Sequence, residues 1–202
     1  MEIMGLSDDM ADDIIDCVNK YGDDAVEVIK KGIEPSKIKI YSDVGILPSD
    51  YERLGIVGES KTKFNYPEDP IRDIIGTGIN SNSEEWYSII EDIENKGGSI
   101  NYSSSDTLVY GPSTMSGKPG EITINTEASL SALKHEYQHF LDDYESGWQG
   151  MRIMWMEPEI RYQWEVNAYK IEVDIAKEKG LGNVIEQLVE NLEIERKHIF
   201  GE

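Results

Sequence analysis

The chain has 202 residues, a formal net charge of −21 and a single cysteine. With 40 acidic side chains against 19 basic ones there is no basic face for nucleic acid, and one cysteine excludes an internal disulfide. No apolar run is long enough to cross a membrane, while an apolar fraction of 39% is enough for a core.

Ser7 to Tyr21 and Asp23 to Lys31 have the spacing of two helices broken at Gly22, with Met10, Ile14, Ile15 and Val18 on the apolar side of the first. From Gly32 to Asn82 the composition is rich in Gly, Pro, Ser and Asp and reads as irregular, with one apolar run at Ile38 to Tyr41. Structureless stretches of that length are unusual in a compact domain. Residues 1–80 are therefore assigned to an N-terminal helical and irregular region, which could be a small module beside a domain spanning residues 81–202.

Glu84 to Asn95 reads as a helix stopped by Gly97 and Gly98. Ser99 to Ser105 and Thr107 to Tyr110 suggest a hairpin, followed by a loop from Gly111 to Gly120 and a short strand, Glu121 to Asn125. If that last strand forms a sheet edge, it offers backbone groups to which an extended peptide can pair.

The stretch Thr126 to Tyr144 contains no Gly or Pro and opens with Thr and Ser, both able to cap a helix. Leu130, Leu133, Tyr137, Phe140, Leu141 and Tyr144 form its apolar stripe. His135, Glu136 and His139 fall off that stripe and spell HExxH. Four residues apart on a helix, the two imidazoles can bind one Zn²⁺, and Glu136 between them can act as general base toward a water. That is the donor set of metal-assisted hydrolysis.

A hydrolytic zinc site takes three protein ligands and one open position. Pro158 to Lys179 reads as a helix in which Arg161, Glu165 and Glu172 stand between two apolar flanks, where a plain amphipathic helix would carry apolar residues. Buried carboxylates need a partner or a metal. Glu165, 26 residues beyond His139, is the favoured third ligand, and Glu172 is a group that could orient a ligand histidine or itself bind. Glu145, six residues after His139, is a further alternative, although the tight turn it needs would be helped by Gly where this chain has Asp142. Asp143, on the side of Glu136, is a candidate supporting residue. The last helix, Asn183 to Lys197, is amphipathic, and His198, next to Arg196 and Lys197, reads as a solvated or helix-end histidine.

HEYQH followed by a helix reading WEVNAY resembles the zincin metallopeptidases of gluzincin type. With its upstream flank (SINYSSSDTLVYGPSTMSGKPGEITIN) it looks like the zincin-like metallopeptidase toxin domains of bacterial polymorphic toxins, over roughly residues 83 to 180. The resemblance implies an α+β, zincin-like fold: a small mixed sheet with an edge strand beside the HExxH helix, and further C-terminal helices. It implies His135, His139 and Glu165 as zinc ligands, Glu136 as catalytic base, a peptide or protein substrate and, for the toxin type, an immunity-type inhibitor protein. The acidity would suit a basic substrate. A second class, a zincin-fold regulatory or scaffold protein that binds metal without general protease activity, has no use for Glu136. No signal-like segment opens the chain, so cytoplasmic synthesis is expected, with export by a dedicated machine leaving no mark in composition.

Overall fold

The structure, a computed structural model, describes residues 8–59 and 61–201. It is a mostly helical α+β fold with a small three-stranded sheet. The expected helix start at Ser7 lies outside the described residues; the first helix, α1, runs Asp8–Tyr21 and the second, α2, Asp23–Lys30. Gly22 between them has φ of 62°, a left-handed value that breaks the first helix.

The stretch expected to be irregular is instead a series of short helices: α3 (Pro35–Asp43), a 3₁₀ turn Pro48–Asp50, α4 (Tyr51–Leu54), α5 (Arg72–Ile75) and α6 (Gly78–Ser81). Pro at the first turn starts α3 and the 3₁₀ turn, and left-handed Gly55 ends α4. Elements of one or two turns are too short to show a helical period, which is why composition alone suggested a loop.

Helix α7 (Ser83–Asn95) is capped by Asn82, whose side chain accepts from the Glu85 amide at 3.2 Å. Three strands follow, β1 (Ser99–Ser103), β2 (Val109–Gly111) and β3 (Glu121–Asn125), in the order β1-β3-β2. β3 is parallel to β1 and antiparallel to β2, so the expected hairpin of the first two strands does not form and the expected edge strand is the central one. Ile122 and Ile124 explain the order. Both are fully buried, and the middle position covers them, whereas β1 and β2 carry the half-exposed Tyr102 and Val109.

Helix α8 (Leu130–Glu145) begins four residues later than the Thr126 start expected. Ser129 is the cap: its Oγ accepts from the Ala132 amide at 3.1 Å and donates to buried Asp69 at 2.6 Å. A turn with left-handed Gly147 and Trp148 (φ 77° and 61°) leads to α9 (Gly150–Met156). Then come α10 (Pro158–Glu178) and α11 (Gly182–Phe200).

Apolar side chains gather in two clusters. One joins residues between Cys17 and Ile71 with Val166, Tyr169 and Val173 of α10 and Val184, Leu188 and Leu192 of α11. The other holds α7, the sheet and α8 together around Trp86, Ile122, Leu133 and Phe140. Polar contacts lock the first: Glu186 of α11 accepts from the Val57 and Gly58 amides at 2.6 and 3.0 Å. Gly182 lets the start of α11 abut α4, since a Cβ there would lie 1.8 Å from the Leu54 carbonyl oxygen. α10 therefore belongs to the N-terminal core on one side and faces α8 on the other.

Candidate metal centre

Helix α8 turns its apolar residues toward the sheet and leaves His135, Glu136 and His139 on the wall of a cavity of about 710 Å³. Helix α10 forms the facing wall with Arg161, Glu165, Tyr169 and Glu172, successive positions of one helical face. His135 Nε2 and His139 Nε2 lie 3.2 Å apart, and Glu165 Oε2 lies 3.5 Å from His139 Nε2. One donor atom from each of the three residues falls within 4.8 Å of the others. Ligands about 2.0–2.1 Å from a tetrahedral zinc sit about 3.3 Å from one another. The three side chains thus form a cluster that could hold a metal ion.

Glu172 completes the arrangement from behind. Its Oε1 is 2.7 Å from His135 Nδ1, while Oε2 accepts from Ser131 Oγ at 3.1 Å. With Nδ1 engaged, the other ring nitrogen of His135 is directed at His139 and Glu165, and the Tyr169 ring packs edge-on against the imidazole at 4.7 Å. Glu172 therefore contacts His135 from outside the three-residue cluster. Burial alone would lower the His135 pKa, but the Glu172 carboxylate, aided by Glu136 and Glu165, overrides this and raises it to about 9. Burial likewise pushes up Glu165, yet here the adjacent His139 prevails and holds the carboxyl below its usual range.

Glu136 is 7% exposed, and burial raises its pKa against the opposing pull of the two histidines. Its Oε2 accepts from the Tyr110 amide of β2 at 2.6 Å. The strand thereby fixes the rotation of the carboxylate beside the histidines. Asp143 does not reach the imidazoles. Its carboxylate accepts from Tyr110 Oη at 2.6 Å, from the Gly150 amide at 2.6 Å and from Ser146 Oγ at 3.1 Å, tying α8 to β2 and to the start of α9. Glu145 is exposed at the far end of α8 and stays out of the cluster. The chain does turn after α8, at Gly147 and Trp148, which is too late to bring Glu145 back. Asp142 joins the two walls, accepting from Gln138 at 2.9 Å and from Asn167 of α10 at 3.3 Å. His198 lies in the last turn of α11 and is exposed.

Several groups here have no signature in the sequence. The Tyr110 amide is a backbone donor, invisible to any motif. Ser131 stands four residues before His135 on the same helix face, a spacing that could have marked it. The N-terminal region supplies Tyr66, Pro67 and Arg72 to the cavity wall, with the Arg72 guanidinium 3.6 Å above the Tyr66 ring and paired to Asp106 and Glu127. No family model, no curated protein and no solved structure matches the chain.

Proposed function

We propose that this chain is a zinc-dependent metallopeptidase of gluzincin type. The observation that carries the reading is the meeting of His135 Nε2, His139 Nε2 and Glu165 Oε2 beside Glu136 in the wall of one cavity. A zinc ion held by those three side chains would act as Lewis acid toward a scissile carbonyl and would acidify a water. Glu136 takes the proton from the attacking water and later delivers it to the leaving amine. The Tyr110 amide keeps Glu136 in place throughout, and Glu172 keeps His135 in the tautomer that presents Nε2.

The substrate is an extended peptide or protein segment. β2 is an outer strand whose residues Val109 and Tyr110 line the cavity, so a peptide added along it passes over the histidines. A net charge of −21 favours a substrate with basic character away from the scissile bond. In the toxin-type reading the same cavity is what an inhibitor protein would occlude.

Glu136→Gln tests the chemistry and His139→Ala the metal. The first should retain one equivalent of zinc and lose about 10²- to 10⁴-fold in the cleavage of unstructured peptides, read by mass spectrometry. The second should lose the zinc. A Glu136→Gln protein as active as the parent, or stoichiometric zinc in His139→Ala, would remove the proposal.

A further inference from the structure

Arg161 stands one turn before Glu165 on α10 and lines the same cavity. Its obvious partner, four residues on, is otherwise engaged, because Glu165 pairs with His139. Among the described residues Arg161 forms no ion pair, and its Nε is buried without a hydrogen-bond partner. Glu195 of α11, also on the cavity wall, is close enough to feel the guanidinium charge without pairing to it. Leaving a guanidinium N–H buried and unsatisfied costs free energy that a ligand bearing an oxygen can recover.

Two other groups near the site are committed. Tyr110 Oη donates to Asp143, and Arg72, the other arginine among the described lining residues, is held by Asp106 and Glu127. Arg161 feels Glu165 and Glu195 only at a distance and keeps a buried Nε without a partner, so it has the chemistry of an anion receptor, and guanidinium prefers the flat, two-oxygen face of a carboxylate.

We propose that Arg161 binds a carboxylate of the substrate, next to the scissile bond. This rests on the hydrolytic reading and adds a substrate class to it. Four residues of helix rise about 6 Å, and an extended peptide covers that in one to two residues at about 3.3–3.6 Å each. The carboxylate therefore belongs to a residue one or two positions from the bond being cut. It is either the free C-terminus of a short leaving piece or an acidic side chain at that place. The acidic surroundings sharpen the selection. They repel anions in general, so a carboxylate gains only where it meets this guanidinium directly.

The test uses the full-length Glu136→Gln protein, zinc-loaded and immobilised, which binds peptides without consuming them. Random tetrapeptide pools are offered as free acids, as C-terminal amides, and as amides with Asp or Asn fixed at one position. Retention is read by mass spectrometry and bound zinc is measured in parallel. An acid-bearing pool should be retained about tenfold or more above its neutral counterpart, and the pool that shows this identifies the source of the carboxylate. Arg161→Gln in the same background should bring the ratio to about one with zinc still bound, and Arg161→Lys should keep part of it. Equal retention of acid and neutral pools, or an undiminished ratio in Arg161→Gln, overturns the proposal. Should Arg161→Gln not fold, the acid-to-neutral ratio of the parent and of Arg161→Lys decides. Native protein that holds zinc and cleaves peptides without acid preference refutes this inference alone, whereas failure to bind zinc strikes the metallopeptidase reading itself.

Discussion

Replacing Glu172 with Gln removes one charge and keeps a side-chain oxygen within reach of His135 Nδ1. In the native site that carboxylate is 2% exposed and lies 2.7 Å from the imidazole. Burial by itself would lower the His135 pKa, and Glu172 is the main reason it stands at about 9. On the proposed metal reading, zinc binding at pH 7 would have to displace a proton from a ring whose pKa is two units higher, which weakens apparent affinity by about 100-fold. In the Gln variant the charge that holds the proton is gone, burial prevails, and that competition disappears. Against this, losing a charged orienting partner costs about 10- to 100-fold in intrinsic metal affinity. The two effects oppose one another at pH 7 and separate at pH 9.5, where the native ring is largely neutral. Competition with a chromophoric chelator should show native affinity rising about tenfold per pH unit between pH 7 and 9. The variant should be nearly flat over that range, meeting the native curve near neutrality and falling below it at high pH. Parallel curves would refute Glu172 as the group that sets His135 protonation.

The same pair makes the metal-free fold sensitive to pH. Its folded-state pKa is raised, so the stabilisation is fully present below about pH 6.5 and is lost as pH rises through about 9; urea midpoints of apo protein at pH 6 and 9.5 should differ in that direction, and Glu172→Gln should abolish the difference. Tyr110→Phe removes the hydroxyl that donates to Asp143 and accepts from the Gly120 amide at 3.2 Å. It should cost about 1–3 kcal/mol in urea unfolding, with zinc stoichiometry unchanged because the Tyr110 amide, which holds Glu136, is untouched. Phe140 is fully buried under α8, with the Trp148 ring 5.2 Å away and the Tyr110 ring 5.9 Å away. Phe140→Ala should cost about 3–5 kcal/mol, and a loss below about 1 kcal/mol would mean that the helix does not depend on this anchor.

The parts of the site that were legible in the sequence are those carried by single helices. His135 and His139 share a face because of their spacing, and Glu165 and Glu172 stood out because carboxylates replaced apolar residues on an inward face of α10. What was not legible depends on pairing across distance. EITIN reads the same as a central or an edge strand, since its neighbours β1 and β2 are chosen by how Ile122 and Ile124 are covered. The helix start moved from Thr126 to Ser129 because Asp69, sixty residues away, holds that serine. Asp143 was expected on the side of Glu136, and its partner Tyr110 sits on a strand whose approach no local pattern reveals. The short helices before Ser83 escaped notice because one turn contains too few residues to display a period.

Four functional candidates, Arg161, Glu165, Tyr169 and Glu172, ride on one rod, and the other side of that rod is set into the core built by residues between Cys17 and Ile71 with α11. A helix turns about 100° per residue, so a slip of a single position would carry all four away from the histidines together. The described residues of the opening third contribute none of the three clustered side chains, yet they act as the bearing that keeps this rod from rotating. Damage there would silence the centre without altering a single group in it.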